Sequence, residues 1–173
     1  MGGLVLDCDK IYHQLLQTDV ELLEIIESRF PGTVIGGALD RKGLGRIVFA
    51  DPGALADLNR ITHSAVRREV LQALSSQPKL AAIDAIGLFE GDLARLCHVT
   101  VAVTAPEDAR IRRLVARDGI TEEYARSRIA AQHSDNWFRE RCDYTLTNDG
   151  TGEQFQQKCL AFFEKLGIMK EKM

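Results

Sequence analysis

The sequence lacks most of the features that would assign it at a glance. Its four cysteines, Cys8, Cys97, Cys142 and Cys159, include no C-x-x-C pair and match no zinc spacing, so neither a zinc ribbon nor a disulfide framework is expected. Reduced, mostly buried thiols are expected instead. The four histidines, His13, His63, His98 and His133, are scattered, and none opens an H-x-x-x-H or H-E-x-x-H motif, so no metal site is expected. No apolar run approaches membrane-spanning length. The opening MGGLVLDCDK has neither a basic nor a usefully long apolar signal region. A cytoplasmic protein without a membrane partner is expected. The 22 basic and 25 acidic residues give a net charge of -3, with no excess of positive charge to hold nucleic acid. Tyr12, Trp137 and Phe138 form no stacking array for bases. There is no repeat, low-complexity tract or linker.

What remains is an ordinary globular composition, 45% hydrophobic and 27% charged over 173 residues. That predicts one domain spanning residues 1–173. Short apolar runs alternate with helical spacing. Strands are predicted at Gly3–Leu6, Leu80–Ile86, His98–Thr104 and Asp143–Thr147, with Leu80–Ile86 buried. Helical spacing covers Ile11–Leu16, Val20–Phe30 and Asp40–Phe49, with a stop at Pro31-Gly32 and a loop at Gly36-Gly37. Asp51-Pro52, Pro106-Glu107 and Thr121-Glu122-Glu123 open further helices. Thr151–Gln154 resembles a capping box. Strands separated by helices imply parallel pairing and an α/β fold. Ligands of such folds sit at the C-terminal strand ends. Three polar clusters fall there: Asp7-Cys8-Asp9, Asp84 with Phe89-Glu90, and Asn148-Asp149-Gly150.

Each cluster has a functional and a structural reading. Asp7 and Asp9 sit at the end of a predicted strand, where residues two apart point to the same face, and one could orient or deprotonate a hydroxyl nucleophile. Asp9 could equally cap the helix that follows. Eight arginines and no lysine lie between residues 110 and 141. The arginine fork matches phosphate oxygens, so the segment suits a lid over a polyphosphate. It suits equally a solvated face laced with i,i+4 pairs such as Glu122–Arg126. His63, after a helix-breaking Asn59–Thr62 segment and before Arg67 and Arg68, reads as a helix N-terminus or an anion contact. Phe89 reads first as core, and Asn148–Gly150 as a turn.

Taken in order, six motifs resemble the dephospho-CoA kinase family of the P-loop kinase class. They are VLDCD at Val5–Asp9, LDRKGLGRIVFADP at Leu39–Pro52, THSAVRREV at Thr62–Val70, IDAIGLFEGDL at Ile83–Leu93, RLVARDGITEEYARSRIAAQ at Arg113–Gln132 and CDYTLTNDG at Cys142–Gly150. The resemblance implies a three-layer α/β fold on a parallel sheet, a helical substrate segment near residues 10–75 and a lid near 107–141. It implies transfer of the ATP γ-phosphoryl, as the Mg²⁺ complex, to the ribose 3′-hydroxyl of dephospho-CoA. Asp9 matches the acid acting on that hydroxyl. Asp7, His63, Arg67, Leu88, Phe89 and Glu90 match the acceptor side. Arg117 would stabilise the transferring phosphoryl and contact ATP, and Asn148 and Gly150 would surround adenine. Small departures are His63-Ser64 for the family's His-Pro, and Ile86-Gly87 for its Pro-Leu.

One departure is large. The family opens with a strand and a G-x-x-x-x-G-K-[ST] loop about 25 residues before the Asp-x-Asp motif. No stretch of this sequence matches that loop. Its amides and lysine cradle the phosphates and its hydroxyl holds Mg²⁺. Loss of one preorganised donor alone raises a barrier by about 2.7–4 kcal/mol. The chain as written is therefore expected to be inactive, with its first central strand absent between the strands at 80–86 and 98–103. Met1-Gly2-Gly3 reads as the interior of a longer reading frame. The alternatives are another P-loop small-molecule kinase, a non-catalytic binding module or, resting only on the arginines, a nucleic-acid binder. The sequence assigns no oligomeric state.

Overall fold

Each of the first four helices begins behind an aspartate that accepts hydrogen bonds from the helix's free first-turn amides. Asp7 accepts from the Lys10 amide at 3.0 Å ahead of α1 (Cys8–Thr18). Asp19 accepts from Leu22 at 3.0 Å ahead of α2 (Val20–Arg29). Asp40 accepts from Lys42 and Gly43 ahead of α3 (Arg41–Ala50). Asp51, followed by proline at the first helical position, accepts from Gly53 ahead of α4 (Pro52–Leu74). The computed structural model describes residues 2–168; Met1 and residues 169–173, the ends of the expected domain, lie outside the described residues. Within it the chain divides into two compact units, residues 1–97 and 98–173.

In the first unit, β1 (Leu4–Asp7) pairs in parallel with β4 (Ala81–Asp84), Leu4 against Ala81 through Asp7 against Asp84. The four helices form the crossover between them, as parallel pairing requires. Between α2 and α3 lies a hairpin, β2 (Val34–Ile35) and β3 (Ala38–Leu39). The sequence reading placed only a loop there. Gly36 and Gly37 take φ of 60° and 81°, the left-handed pair that a two-residue hairpin turn needs. The Glu27 carboxylate ties the hairpin to α2 by accepting from the Gly32 and Val34 amides at 2.6 and 2.7 Å. Helix α4 supplies the spine of the core, burying Leu58, Ile61, Ala65, Val66 and Val70 at helical spacing. They join Leu6, Leu15, Leu22, Ile26, Phe30, Leu44 and Val48 in one cluster.

The second unit holds a second parallel pair, β5 (Val101–Thr104) with β6 (Tyr144–Thr147). Between them run α5 (Glu107–Asp118), α6 (Glu122–Ala130) and α7 (Asp135–Arg141), and α8 (Gly152–Lys165) follows. Gly119, at φ 64°, ends α5 in the left-handed conformation that glycine adopts without a steric penalty. Thr151 and Gln154 form the predicted capping box, each side chain accepting from the other's backbone amide at 3.2 and 2.9 Å. The core of this unit is small: Ala102, Ile111, Ala125 and Phe162 are its buried apolar residues among those described.

The α/β class predicted from the sequence is what these elements form, and four predictions of detail are corrected. Strand β1 ends at Asp7 and the chain turns directly into α1, so Asp7, not Asp9, is the cap, and the shared-strand-face argument does not apply. Helix α4 runs unbroken through Asn59–Thr62, so His63 lies in mid-helix rather than at a helix start. The Leu80–Ile86 run is not fully buried: Ala82, Asp84 and Ile86 face outward. The thiols are free, but only Cys8 is buried, the other three being half-buried. Helix α7 had no predicted counterpart. Among the described residues no helix is long and apolar enough to cross a membrane.

Candidate active site

The register of β1 with β4 brings Asp7 and Asp84 side by side at the C-terminal strand ends, with Asp9 one helical step on. Asp7 is engaged twice. Besides capping α1, it pairs with the Lys10 ammonium at 2.8 Å, and these bonds hold its carboxyl below the usual carboxylate range. Asp9 lies exposed in the first turn of α1. Buried between them, the Cys8 thiol is pushed up to about 11, first by desolvation and then by Asp84, Asp9 and Asp7. A thiol in that setting is a poor nucleophile.

Of the six residues matched to the acceptor side, His63, Arg67 and Glu90 line an open cleft of about 640 Å³ between α4 and the loop after β4, and Asp7, Leu88 and Phe89 do not. His63 and Arg67, one turn apart on α4, line one wall, and Glu90 and Asp92 the other. A Cβ at Gly87 would lie 3.4 Å from His63 Nε2 and 3.9 Å from Glu90 Oε2, so the backbone passes close to both groups. Arg67 Nε is buried without a hydrogen-bond partner, 3.8 Å from Asp92 Oδ2. The loop is fixed by Gly91 N–H donating to Gly87 O and Leu93 N–H to Leu88 O, both at 2.9 Å. Leu88 packs against the core cluster rather than lining the cleft, and Phe89 is half-buried. Asn59, Arg60 and Asp92, which also line the cleft, were missed as site residues. Helical spacing from His63 would have indicated Asn59 and Arg60, four and three residues away, had α4 been read as continuous.

In the second unit, Arg117 grips the neighbouring Asp118 with two bonds, Nε to Oδ1 at 2.7 Å and a terminal nitrogen to Oδ2 at 3.0 Å. Arg128 donates to the same carboxylate at 2.7 Å. Asp118 is thereby held at about 2, Arg117 being the larger cause. Arg126 bridges Glu122 and Glu107, so the i,i+4 reading holds for that residue. Asn148 and Gly150 follow β6. Asn148 accepts from Arg113 of α5 through Oδ1 at 3.0 Å, a contact the sequence did not single out. Gly150 packs so closely on Gln154 of the capping box that any Cβ would collide with its Oε1. Among the described residues no group of three or more His, Cys, Asp or Glu could hold a metal ion.

Parallel strand pairs with helical crossovers and carboxylates at the C-terminal strand ends define an α/β protein, consistent with the P-loop kinase class. Known proteins narrow this. The family profile described as dephospho-CoA kinase matches residues 1–154, and the chain belongs to that family. It is 33% identical over 172 residues to the dephospho-CoA kinase of Syntrophotalea carbinolica, covering 96% of this chain and 82% of that protein. It is 37% identical over 171 residues to that of Deinococcus radiodurans, with 96% and 82% covered. A crystal structure of TT1252 from Thermus thermophilus superposes with a TM-score of 0.78 at 33% identity, covering 95% of this chain and 85% of that one. The dephospho-CoA kinase from Campylobacter jejuni, at 22% identity and TM-score 0.65, shares the fold.

Proposed function

We propose that this chain carries the acceptor side of an ATP-dependent kinase that phosphorylates the ribose 3′-hydroxyl of dephospho-CoA, the last step of coenzyme A synthesis. The observation that carries the reading is the cleft built from His63, Arg67 and Glu90 in a chain whose family assignment spans residues 1–154. Dephospho-CoA occupies this cleft against the helical segment of residues 10–75. Asp9 accepts the 3′-hydroxyl proton as the oxygen attacks the γ-phosphorus. The bond from that phosphorus to the β–γ bridging oxygen breaks, and ADP leaves. Asp7 positions the start of α1, while Phe89 and Leu88 support the cleft loop. Residues 107–141 act as the lid. Arg117 exchanges Asp118 for phosphoryl oxygens as charge develops on them. Asn148 and Gly150 flank the adenine. Mg²⁺ carried by ATP would supply charge neutralisation at the phosphates; among the described residues no group of three or more His, Cys, Asp or Glu would hold it. The reaction belongs in the cytoplasm, with ATP and dephospho-CoA as partners and neither nucleic acid nor membrane required.

A second reading is a non-catalytic dephospho-CoA-binding module, which would need only the cleft lined by His63, Arg67 and Glu90 within the first unit. The two readings separate in one pair of measurements. Dephospho-CoA is titrated calorimetrically into the 173-residue chain. ADP release is then followed with a form to which the family's first strand and phosphate loop have been added. Binding with dephospho-CoA-dependent ADP release in the extended form is the expected result. Binding without release supports the module, and absence of binding removes both.

A further inference from the structure

We infer that Asp92 is a positioning residue for the acceptor: it holds Arg67 at the cleft so that the guanidinium meets an anionic, diphosphate-bearing ligand. The inference rests on the reading of this cleft as the dephospho-CoA site.

The backbone gives the first argument. Asp92 has φ 54°, in the left-handed region that glycine adopts without penalty and that other residues enter at a cost. The loop leaves it no slack. Gly91 and Leu93 donate back to Gly87 and Leu88, Asp92 N–H donates to Phe89 O at 3.1 Å, and Leu93 is 2% exposed in the core. A carboxylate is thus fixed in direction at a position where glycine would fit more easily.

The charges give the second. Asp92 stands between two guanidinium groups. Arg95 Nε lies 2.8 Å from Oδ1 as a close ion pair, and Arg67 Nε lies 3.8 Å from Oδ2. At 3.8 Å the attraction is Coulombic only. Arg60, Arg67 and Arg95 at the cleft face Glu90 and Asp92, so the site keeps a net positive charge and does not repel an anion. Arg67 Nε, enclosed and without an acceptor, is an unsatisfied donor that the structure holds in place rather than releasing to solvent. A long arginine side chain left alone would sample many rotamers. The fixed carboxylate narrows that set before the ligand arrives, and this is where its contribution to affinity lies.

The test is a double-mutant cycle read by calorimetric titration of dephospho-CoA into the 173-residue chain. Asparagine tolerates the left-handed region and keeps the shape of aspartate, so Asp92→Asn removes the charge alone. Asp92→Asn should weaken binding about fivefold, the upper range for a solvent-accessible ion pair. Arg67→Met should weaken it by about tenfold or more. Asp92→Asn added to Arg67→Met should cause no further loss. Thermal melts of all four proteins establish that each is folded. Equal losses in both backgrounds, an unchanged affinity or a tighter one in Asp92→Asn would overturn the inference while leaving the acceptor reading intact. A wild-type chain that binds no dephospho-CoA would instead remove the acceptor reading, and the inference with it.

Discussion

Asp7 and Asp9 are the same residue type two positions apart, yet the fold gives them different work. Asp7 is bound by the Lys10 amide and ammonium, which lower its pKa. A lowered carboxylate stabilises the fold above its usual titration range, and that contribution is lost as pH falls through the folded value. Asp7→Asn should therefore lower the melting temperature at pH 7 and have little effect in acid, where the wild-type carboxyl is itself protonated. Asp9→Asn should leave melting unchanged and, in a form carrying the phosphate loop, reduce kcat by about 10²–10⁴-fold, the range for losing a general base. Comparable losses of turnover in both variants would contradict this division. Cys8 makes a second prediction at this scale. With its thiol at about 11, it should resist iodoacetamide at pH 8, and Asp84→Asn should speed its alkylation, as read by mass spectrometry. The sequence showed a cysteine between two acids; only the burial of Cys8 and the register that brings Asp84 beside it decide its chemistry.

At the scale of elements, legibility followed locality. Helix starts written in adjacent residues, such as Asp51-Pro52 and Thr151 through Gln154, were readable because the cap and its partner lie within one turn. Asp7 was misread because its role depends on where β1 stops, which its pairing with β4 decides. The hairpin at Gly36-Gly37 was readable in principle, since two glycines between short apolar runs favour that turn, but two-residue strands carry almost no periodicity. The cleft was half legible: its residue types could be matched to a family, whereas Asp92 acquires its place only from a left-handed loop. Helices α5 and α6 were predicted, but not the joint they share. Arg117 and Arg128, from the two helices, converge on Asp118 and hold it at about 2 from an ordinary value of 3.8. The depressed value means the stabilisation is present above about pH 4 and lost as pH falls towards 2. Melts between pH 5 and pH 2 should show a steeper acid decline in wild type than in Asp118→Asn. Parallel declines would place the acid sensitivity elsewhere.

At the scale of the whole molecule, burial is uneven. The first unit organises its core on a 23-residue helix and seals Phe30, Leu22, Ile26 and Val70 almost completely. The second relies on two alanines, Ile111 and Phe162, and much of its polar surface is joined by exposed arginine–carboxylate pairs, which contribute little each. Parallel strands usually carry cover on both faces. Here Val5 of β1 is 69% exposed and Val103 of β5 63%, so each pair presents an apolar side chain to solvent. The first unit offsets this with its helical core, and the second has less with which to do so. Local opening free energy tracks such differences in buried apolar packing. Native-state hydrogen exchange should therefore find the amides of α4 and β1 the slowest in the chain, and those of β5, β6 and α5–α7 faster by about 10–100-fold, since each factor of ten corresponds to about 1.4 kcal/mol of opening free energy. Dephospho-CoA, bound as proposed, should slow exchange in α4 and at residues 90–92 directly, because both line the cleft. Uniform protection across the two units would mean that the chain opens only as a whole, and that the sparse packing of residues 98–168 is compensated by interactions other than buried apolar area.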